Sequence, residues 1–346
     1  MKKVLVGMSG GVDSSVAALL LKNEGYEVIG ATMVLFDDKT SKMVVDAKLV
    51  CDKLGIKHYV IDLKDTFKTY VVNDFISCYK KGLTPNPCVL CNKYLKFGVL
   101  FKKARDLGCD YIATGHYARQ RGGKLMRSSS LDKDQSYFLY GISKDVISHV
   151  IFPLEKYQSK VEIRAIAEDN DLLVARKKDS QEICFVPDDD YADFLKKNVK
   201  ELPESGDFVD EEGNVLGKHK GIYNYTIGQR KGLGVSYKVP LYVIKIDPVT
   251  NKITLGEENK LYKRELVCTN INLLVDKLPP KVEAKIRFRA RPAKAKIEFI
   301  NDDKIKVIFD EPQRAITKGQ SVVFYEGDVV LGGGVIIWKT FHYVVC

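Results

Sequence analysis

Two groups of residues in this 346-residue chain have the types and spacing for covalent chemistry. The first is Ser9-Gly10-Gly11-Val12-Asp13-Ser14-Ser15, set between the apolar run Lys2 to Met8 and a helix-forming stretch from Val16 to Leu21. Strand, glycine turn and helix in that order form a phosphate cradle. The glycines let backbone approach a ligand where a Cβ would collide, and hydroxyls and N–H groups at a helix start favour an anion. An ordinary tight turn uses the same two glycines, so they alone do not decide. There is neither the lysine of a G-x-x-x-x-G-K-[ST] loop nor the G-x-G-x-x-G of a dinucleotide site.

The second group is sulfur. Eight cysteines stand at 51, 78, 88, 91, 109, 184, 268 and 346, without the spacing of a secreted disulfide framework. Cys51, Cys78, Cys109 and Cys268 lie in apolar surroundings and are expected in the core. Cys88-Val-Leu-Cys91 follows Thr84-Pro85-Asn86-Pro87, and each proline pushes its predecessor out of the helical region. Cys91-Asn92 is therefore expected at or near the start of the next helix, where the helix dipole lowers a thiol pKa. A zinc half-site would need two further ligands, and no second Cys-x-x-Cys or His-x-x-x-His occurs, so reactive thiols are the preferred reading. Cys184 follows the polar, cationic segment Lys177 to Glu182. Two accounts stay open for it: a thiolate stabilised by charge, or a cysteine tucked under a loop by Ile183 and Phe185.

Positioning these groups falls to alternating strands and helices. Strands are expected at Lys2 to Met8, Tyr26 to Met33, His58 to Asp62 and Asp110 to Thr114, and helices at Val44 to Leu54, Phe67 to Tyr79 and Asn92 to Leu107. The alternation predicts an α/β fold with a doubly wound parallel sheet, whose ligands bind beyond the carboxyl ends of the strands. That edge collects Ser9 to Ser15, Met33 and Gly115-His116. Met33 there is either core or a packing surface for an adenine ring; His116, just past a strand end, is read as functional.

Tyr191 to Asn198 is the last expected helix. Beyond it the character changes to short strands and turns, which divides the chain into 1–199, 200–264 and 265–346. Gly221 to Gly234 is rich in glycine, aromatics and base, as a loop gripping a polymer backbone would be. From Lys281 to Arg291 apolar and charged residues alternate, which predicts one strand with Lys281, Lys285, Arg287, Arg289 and Arg291 in a row. Like charges in a row repel, so a phosphate backbone is their expected counter-charge. The overall balance, 55 Lys and Arg against 45 Asp and Glu for a net +10, points the same way. No apolar run is long enough to cross a bilayer, and a cytoplasmic protein without membrane partners is expected.

Ser9-Gly-Gly-Val-Asp-Ser14 resembles the pyrophosphatase loop of the N-type ATP pyrophosphatases, which adenylylate an oxygen of their substrate. Taken with Thr84-Pro-Asn-Pro87, Cys91-Asn92-Lys93, Ala113 to Ala118, Lys133 to Leu139, Asp179-Ser180 with Ile183-Cys-Phe185, Tyr225 to Gly234, Glu311 to Ala315, Gly319-Gln-Ser321 and Leu331 to Gly334, it resembles the tRNA-specific 2-thiouridylases along the whole chain. The resemblance implies a PP-loop, adenine nucleotide alpha hydrolase-like domain followed by two small β-rich domains, the last a β-barrel.

It further implies an enzyme that uses ATP and Mg2+ to adenylylate the wobble uridine O2 of tRNA and then transfers sulfur from a persulfide on Cys184. Cys91 would be the second catalytic cysteine, with His116 and Gln320 important for activity. Gly7, Met8, Ser9, Gly10, Gly11, Val12, Asp13, Ser14, Ser15, Met33 and Gly115 would bind the nucleotide. Asn86, Pro87 and Cys88 would meet the target base, and Lys133, Asp134, Gln135, Arg287 and Phe288 the tRNA. The sulfur would come from a cysteine desulfurase or a sulfur-relay protein. Many relatives carry aspartate where this chain has Cys88, which leaves the acid or base unassigned, and the segment from Met33 to Asp46 is shorter than in many. Two rivals remain: another adenylylating synthetase of the same superfamily, and a non-catalytic, tRNA-binding sulfur carrier.

Overall fold

The structure, a computed structural model, describes residues 1–177, 183–186, 188 and 190–337; Asp179, Ser180 and Cys346 lie outside the described residues. The strands of the N-terminal sheet are β1 (Lys3–Gly7), β2 (Glu27–Val34), β3 (Lys57–Asp62), β4 (Tyr111–Ala113) and, after a hairpin of β5 (Arg119–Arg121) and β6 (Lys124–Met126), β7 (Val150–Ile151). The five are parallel, in the order β3-β2-β1-β4-β7. Side chains of a strand alternate between faces. Val4 and Val6 accordingly pack with Val16 and Ala17 of helix α1 (Val12–Asn23), whereas Leu5 packs with Leu100 and Ile112 on the other face. Helices thus cover both faces, as the parallel sheet requires.

The helix carrying the Cys-x-x-Cys starts earlier than the prolines suggested. Pro87 is its first residue, a position where the missing N–H costs no hydrogen bond. Cys88 is therefore in the first turn, and Cys91 begins a π-helical segment, Cys91–Val99, before regular helix resumes at Leu100–Asp106.

Four strands, β8 (Gly206–Val209), β9 (Val215–His219), β10 (Tyr242–Asp247) and β11 (Lys252–Gly256), form a small middle sheet in the order β10-β11-β8-β9. The last six are β12 (Tyr262–Leu273), β13 (Lys281–Lys285), β14 (Ala293–Asn301), β15 (Lys304–Arg314), β16 (Ser321–Glu326) and β17 (Val329–Ile337). Paired antiparallel in the order β12-β15-β14-β13-β16-β17 and closed by β12 on β17, they make a six-stranded barrel, onto which β6 adds at Met126.

The single strand expected from Lys281 to Arg291 is not formed. β13 ends at Lys285, and the chain turns, Ala290 N–H donating to the Arg287 carbonyl at 3.1 Å, before β14 pairs back with Ala293 opposite Ala284. The apolar and charged residues of the sequence go on alternating through the turn although burial does not, Ala284, Lys285 and Ile286 all being buried, so the pattern does not mark the strand end. Lys285 is buried, its ammonium over the rings of Tyr137 and Phe288 at 5.9 and 5.6 Å, and the expected cation ladder is not formed. Cys51, Cys109 and Cys268 are core residues; Cys78 is only half-buried, its thiol 3.7 Å from Asp74. No described helix is long and apolar enough to cross a membrane.

Candidate active site

The carboxyl ends of β1, β2 and β4 open on a cavity of about 380 Å³. Met8, Ser9, Asp13 and Ser14 line it from the first turn, Met33 from β2, and Gly115 and His116 from beyond β4. Cys88, Cys91, Lys96 and Cys184 line it as well, so the glycine turn and three thiols far apart in sequence face one space.

The turn is shaped by its own hydroxyls. Ser14 Oγ donates to the Gly11 carbonyl at 3.1 Å and accepts from the Ser9 amide at 3.2 Å, while Ser15 Oγ donates to the same Gly11 carbonyl at 2.9 Å. These bonds hold the start of α1, whose first N–H groups have no partner within a helix, beside the cavity that Asp13 and Ser14 line. Lys177 clamps the turn from outside, donating to the Gly10 carbonyl at 2.9 Å and to Asp46 at 2.6 Å. Gly115 must lack a side chain: a Cβ there would stand 2.8 Å from the Asp13 carbonyl carbon and 2.9 Å from the Ser14 nitrogen. The arrangement is a cradle for phosphate oxygens.

Asp13 accepts from Tyr117 Oη at 3.0 Å and is ion-paired with Lys160 at the start of the helix Lys160–Asp169. Among the described residues lining the cavity it is the one carboxylate, and Lys96 is the one ammonium. A single carboxylate fits magnesium, which is held mainly by phosphate and water oxygens. No group of three or more His, Cys, Asp or Glu side chains among the described residues is disposed to hold a metal ion.

His116 is fixed from both ends, its Nδ1 2.7 Å from Thr114 Oγ1 and its Nε2 3.4 Å from Lys96 Nζ. Burial and the Lys96 charge hold its pKa well below the usual histidine value, so it is neutral at pH 7. With the ammonium donating to Nε2, the proton belongs on Nδ1, bonded to Thr114.

The thiols behave differently from the sequence expectation. Burial pushes Cys88 and Cys91 up from the ordinary thiol value and Cys184 to about 12, each opposed by the charge of Lys96. The helix begins at Pro87, so Cys91 does not sit at its positive end, and burial raises its thiol instead of a dipole lowering it. Cys88 and Cys184 nonetheless present surface to the cavity, so they are reachable and poorly solvated at once. Of the two accounts of Cys184, the charge-stabilised thiolate does not hold, since its thiol is raised; of the other, Phe185 is tucked away among Phe67, Phe75 and Phe194, but Cys184 itself is exposed and lines the cavity.

Other residues named from the sequence take various positions. Asn86 and Pro87 start the helix, and the Asn86 side chain makes no capping bond to it. Gln320 lies outside the cavity and donates to the Thr84 and Pro85 carbonyls at 3.1 and 3.0 Å, so it holds the segment in front of Cys88. Lys133 is exposed, whereas Asp134 is buried and accepts from Ser128 N, Ser136 N and Ser136 Oγ at 3.0, 3.1 and 3.0 Å. Its carboxylate is committed to the protein and does not face an RNA. Gln135 lines the cavity and accepts from Tyr117 N–H at 2.9 Å. Arg287 is likewise turned inward: one guanidinium nitrogen donates to Ile227 O at 3.3 Å, to Thr317 Oγ1 at 2.5 Å and to Ala315 O. Phe288 packs against Phe138, ring centroids 4.5 Å apart and planes tilted by 35°. Both, partly buried, join the barrel to its neighbours. Lys96 and Lys160 carried no sequence signal, since each acquires meaning from a partner distant along the chain or around a helix, and Lys177, expected beside Cys184, instead holds Gly10 and Asp46.

Family models match the chain in succession: residues 2–188 match the tRNA methyl transferase HUP domain, 192–257 the tRNA methyl transferase PRC-barrel domain and 263–336 the aminomethyltransferase beta-barrel domain. Curated proteins named tRNA-specific 2-thiouridylase MnmA from Clostridioides difficile and Clostridium kluyveri are 50% and 51% identical over 354 and 353 residues, covering 97% of this chain and 98% and 99% of theirs. The protein of that name from Acetivibrio thermocellus is 48% identical over 356 residues, 97% of this chain and 99% of its own. Among solved structures, a 4-thiouridine synthetase–RNA complex with bound ATP aligns at TM-score 0.40 and 18% identity, over 57% of this chain and 50% of that one.

Proposed function

The chain belongs to the tRNA-specific 2-thiouridylases, and on that premise we propose that it exchanges the C2 oxygen of the wobble uridine of tRNA for sulfur carried on Cys184. The observation that carries this reading is the common cavity: the phosphate cradle at Ser9 to Ser15 and the thiols of Cys88, Cys91 and Cys184 line one space.

Bound ATP would supply the adenylyl group that converts the uridine oxygen into a leaving group. The α1 amides and the Gly10-Gly11 turn would hold its phosphates, Met33 would pack its adenine, and Asp13 would be the carboxylate available to the magnesium that accompanies them. Asn86 and Pro87 meet the flipped base, and exposed Lys133 meets the RNA backbone.

Sulfur arrives on Cys184 as a persulfide from a cysteine desulfurase or relay protein. Cys91 thiolate attacks Sγ of Cys184; the Cys91–Cys184 bond forms, the sulfur–sulfur bond of the persulfide breaks, and hydrosulfide leaves with the electron pair. Hydrosulfide then adds to C2 and loses its proton to solvent, while AMP departs with the carbon–oxygen pair. The sulfane sulfur has been reduced to sulfide and two thiols oxidised to a disulfide, which a dithiol reductant restores. If the persulfide itself attacks C2, the same disulfide forms when Cys91 releases the product.

The test is mass spectrometry of nucleosides from tRNA incubated with the protein, ATP, magnesium and a persulfide source. Wild type should yield 2-thiouridine. Cys184→Ser should yield none yet keep tRNA-dependent pyrophosphate release; equal loss of both would count against the division of labour, and ATP turnover without tRNA would favour a small-molecule synthetase.

A further inference from the structure

The π-helical segment Cys91–Val99 sets a side chain that an α-helix would point elsewhere. At 3.6 residues per turn, a residue five positions on stands about 140° around the axis from the first. Closing the turn with i→i+5 hydrogen bonds winds the helix more slowly and brings positions i and i+5 toward one face. Cys91 and Lys96 are five apart, and both line the cavity. Gly98 permits the wider turn: a Cβ there would lie 2.9 Å from the Lys93 carbonyl oxygen, itself five residues earlier.

Resting on the sulfur-transfer reading above, we propose that Lys96 is the charge-stabilising residue of the sulfur half-reaction, its ammonium holding the Cys91 thiolate, the Cys184 persulfide anion and the departing hydrosulfide. Position 88, where a carboxylate would otherwise supply a charge, is a neutral thiol here. Asp13 belongs to the glycine turn, where it is paired with Lys160 and accepts from Tyr117. Among the described residues lining the cavity, the titratable groups beside Lys96 are Cys88, Cys91, Cys184 and His116, which become anionic or stay neutral, and Asp13 on the glycine turn. Burial raises all three thiols and the cation opposes that rise, as expected for a charge placed where sulfur anions must form. Burial, with the same charge added, keeps His116 neutral, so the imidazole can accept from the ammonium at 3.4 Å and hold it at the cavity.

The test uses the full chain with Lys96→Gln and Lys96→Met, which remove the charge, and Lys96→Arg, which keeps it. Iodoacetamide labelling of Cys91 and Cys184, followed by peptide mass spectrometry across pH, reads the thiol midpoints. Both neutral variants should move the midpoints up by about one unit or more, an approximately tenfold smaller thiolate fraction at fixed pH. Lys96→Arg should stay near wild type. The His116 imidazole, followed by NMR, should also titrate higher in the neutral variants, a change that a packing role alone does not produce. Unchanged midpoints in the neutral variants overturn the proposal, and so does loss of fold in both of them, which would assign Lys96 to the core. Labelling needs neither tRNA nor ATP, so a wild-type protein that fails to make 2-thiouridine while showing the midpoint shift would sink the functional reading and leave the Lys96–thiol coupling in place.

Discussion

Gln320 of the C-terminal barrel donates its side-chain amide to the Pro85 carbonyl at 3.0 Å, 235 residues earlier in the chain. With the second bond to Thr84 O at 3.1 Å, and with Thr84 N–H donating to Lys318 O at 3.0 Å, the barrel holds the segment that presents Asn86, Pro87 and Cys88. Gln320→Ala should lower stability by about 1–2 kcal/mol, from two partly buried bonds. It should also slow 2-thiouridine formation more than it weakens nucleotide binding, since the cradle is elsewhere. Thermal melting together with steady-state thiolation checks this; nucleotide affinity falling in parallel would place Gln320 in the cradle instead.

Cys88→Ser should be milder than Cys91→Ser. Both thiols line the cavity, yet Cys91 begins the π segment that shares a face with Lys96. Single-turnover sulfur transfer from preloaded Cys184 persulfide distinguishes them, and equal losses would make the choice of partner for Cys184 arbitrary.

If Asp13 serves the metal as proposed, Asp13→Asn should reduce tRNA-dependent pyrophosphate release about tenfold or more, with partial recovery at raised magnesium. Lys160→Met should destabilise the fold by about 1–3 kcal/mol, between the values for exposed and buried ion pairs, because the two side chains are 18% and 29% exposed. Pyrophosphate release as a function of magnesium and urea unfolding measure the two effects. Indifference of Asp13→Asn to magnesium would remove the metal from this position.

Acid should weaken the fold through His116. Its folded pKa lies well below the value of 6.5 it has when unfolded, so the unfolded chain binds the extra proton. The stability this contributes is complete above about pH 6.5 and is lost as pH falls, at about 1.4 kcal/mol per unit, until the folded pKa is reached. Urea unfolding at about pH 7.5, 6.5 and 5.5 should show this slope in wild type and a smaller one in His116→Asn. Identical slopes would mean that His116 is protonated in the fold.

Arg287→Ala should cost about 1–3 kcal/mol, by leaving the partly buried Ile227 and Ala315 carbonyls without their donor. The slope of log tRNA affinity against log salt should stay as it is, whereas Lys133→Ala should reduce it by about one counterion. A reduced slope for Arg287→Ala would return that residue to the RNA interface.

How much of this was legible in the chain depends on the range of the interaction involved. Period-two and helical patterns report local geometry, so the parallel sheet with its glycine turn was readable in the linear order, and so was the helix Tyr191–Asn198, which forms over the expected residues. The pattern from Lys281 to Arg291 misled because alternation continues through the turn after β13.

Residue identity by itself determined that this protein carries a phosphate turn and a set of thiols suited to one reaction, because glycine, serine and cysteine bring those capacities wherever they stand. Only the tertiary structure decided that the thiols are raised by burial, that Asp134 and Arg287 face inward, and that a π turn sets Lys96 among the sulfurs. Solvation and pairing are properties of the space around a group, and residues hundreds of positions away build that space.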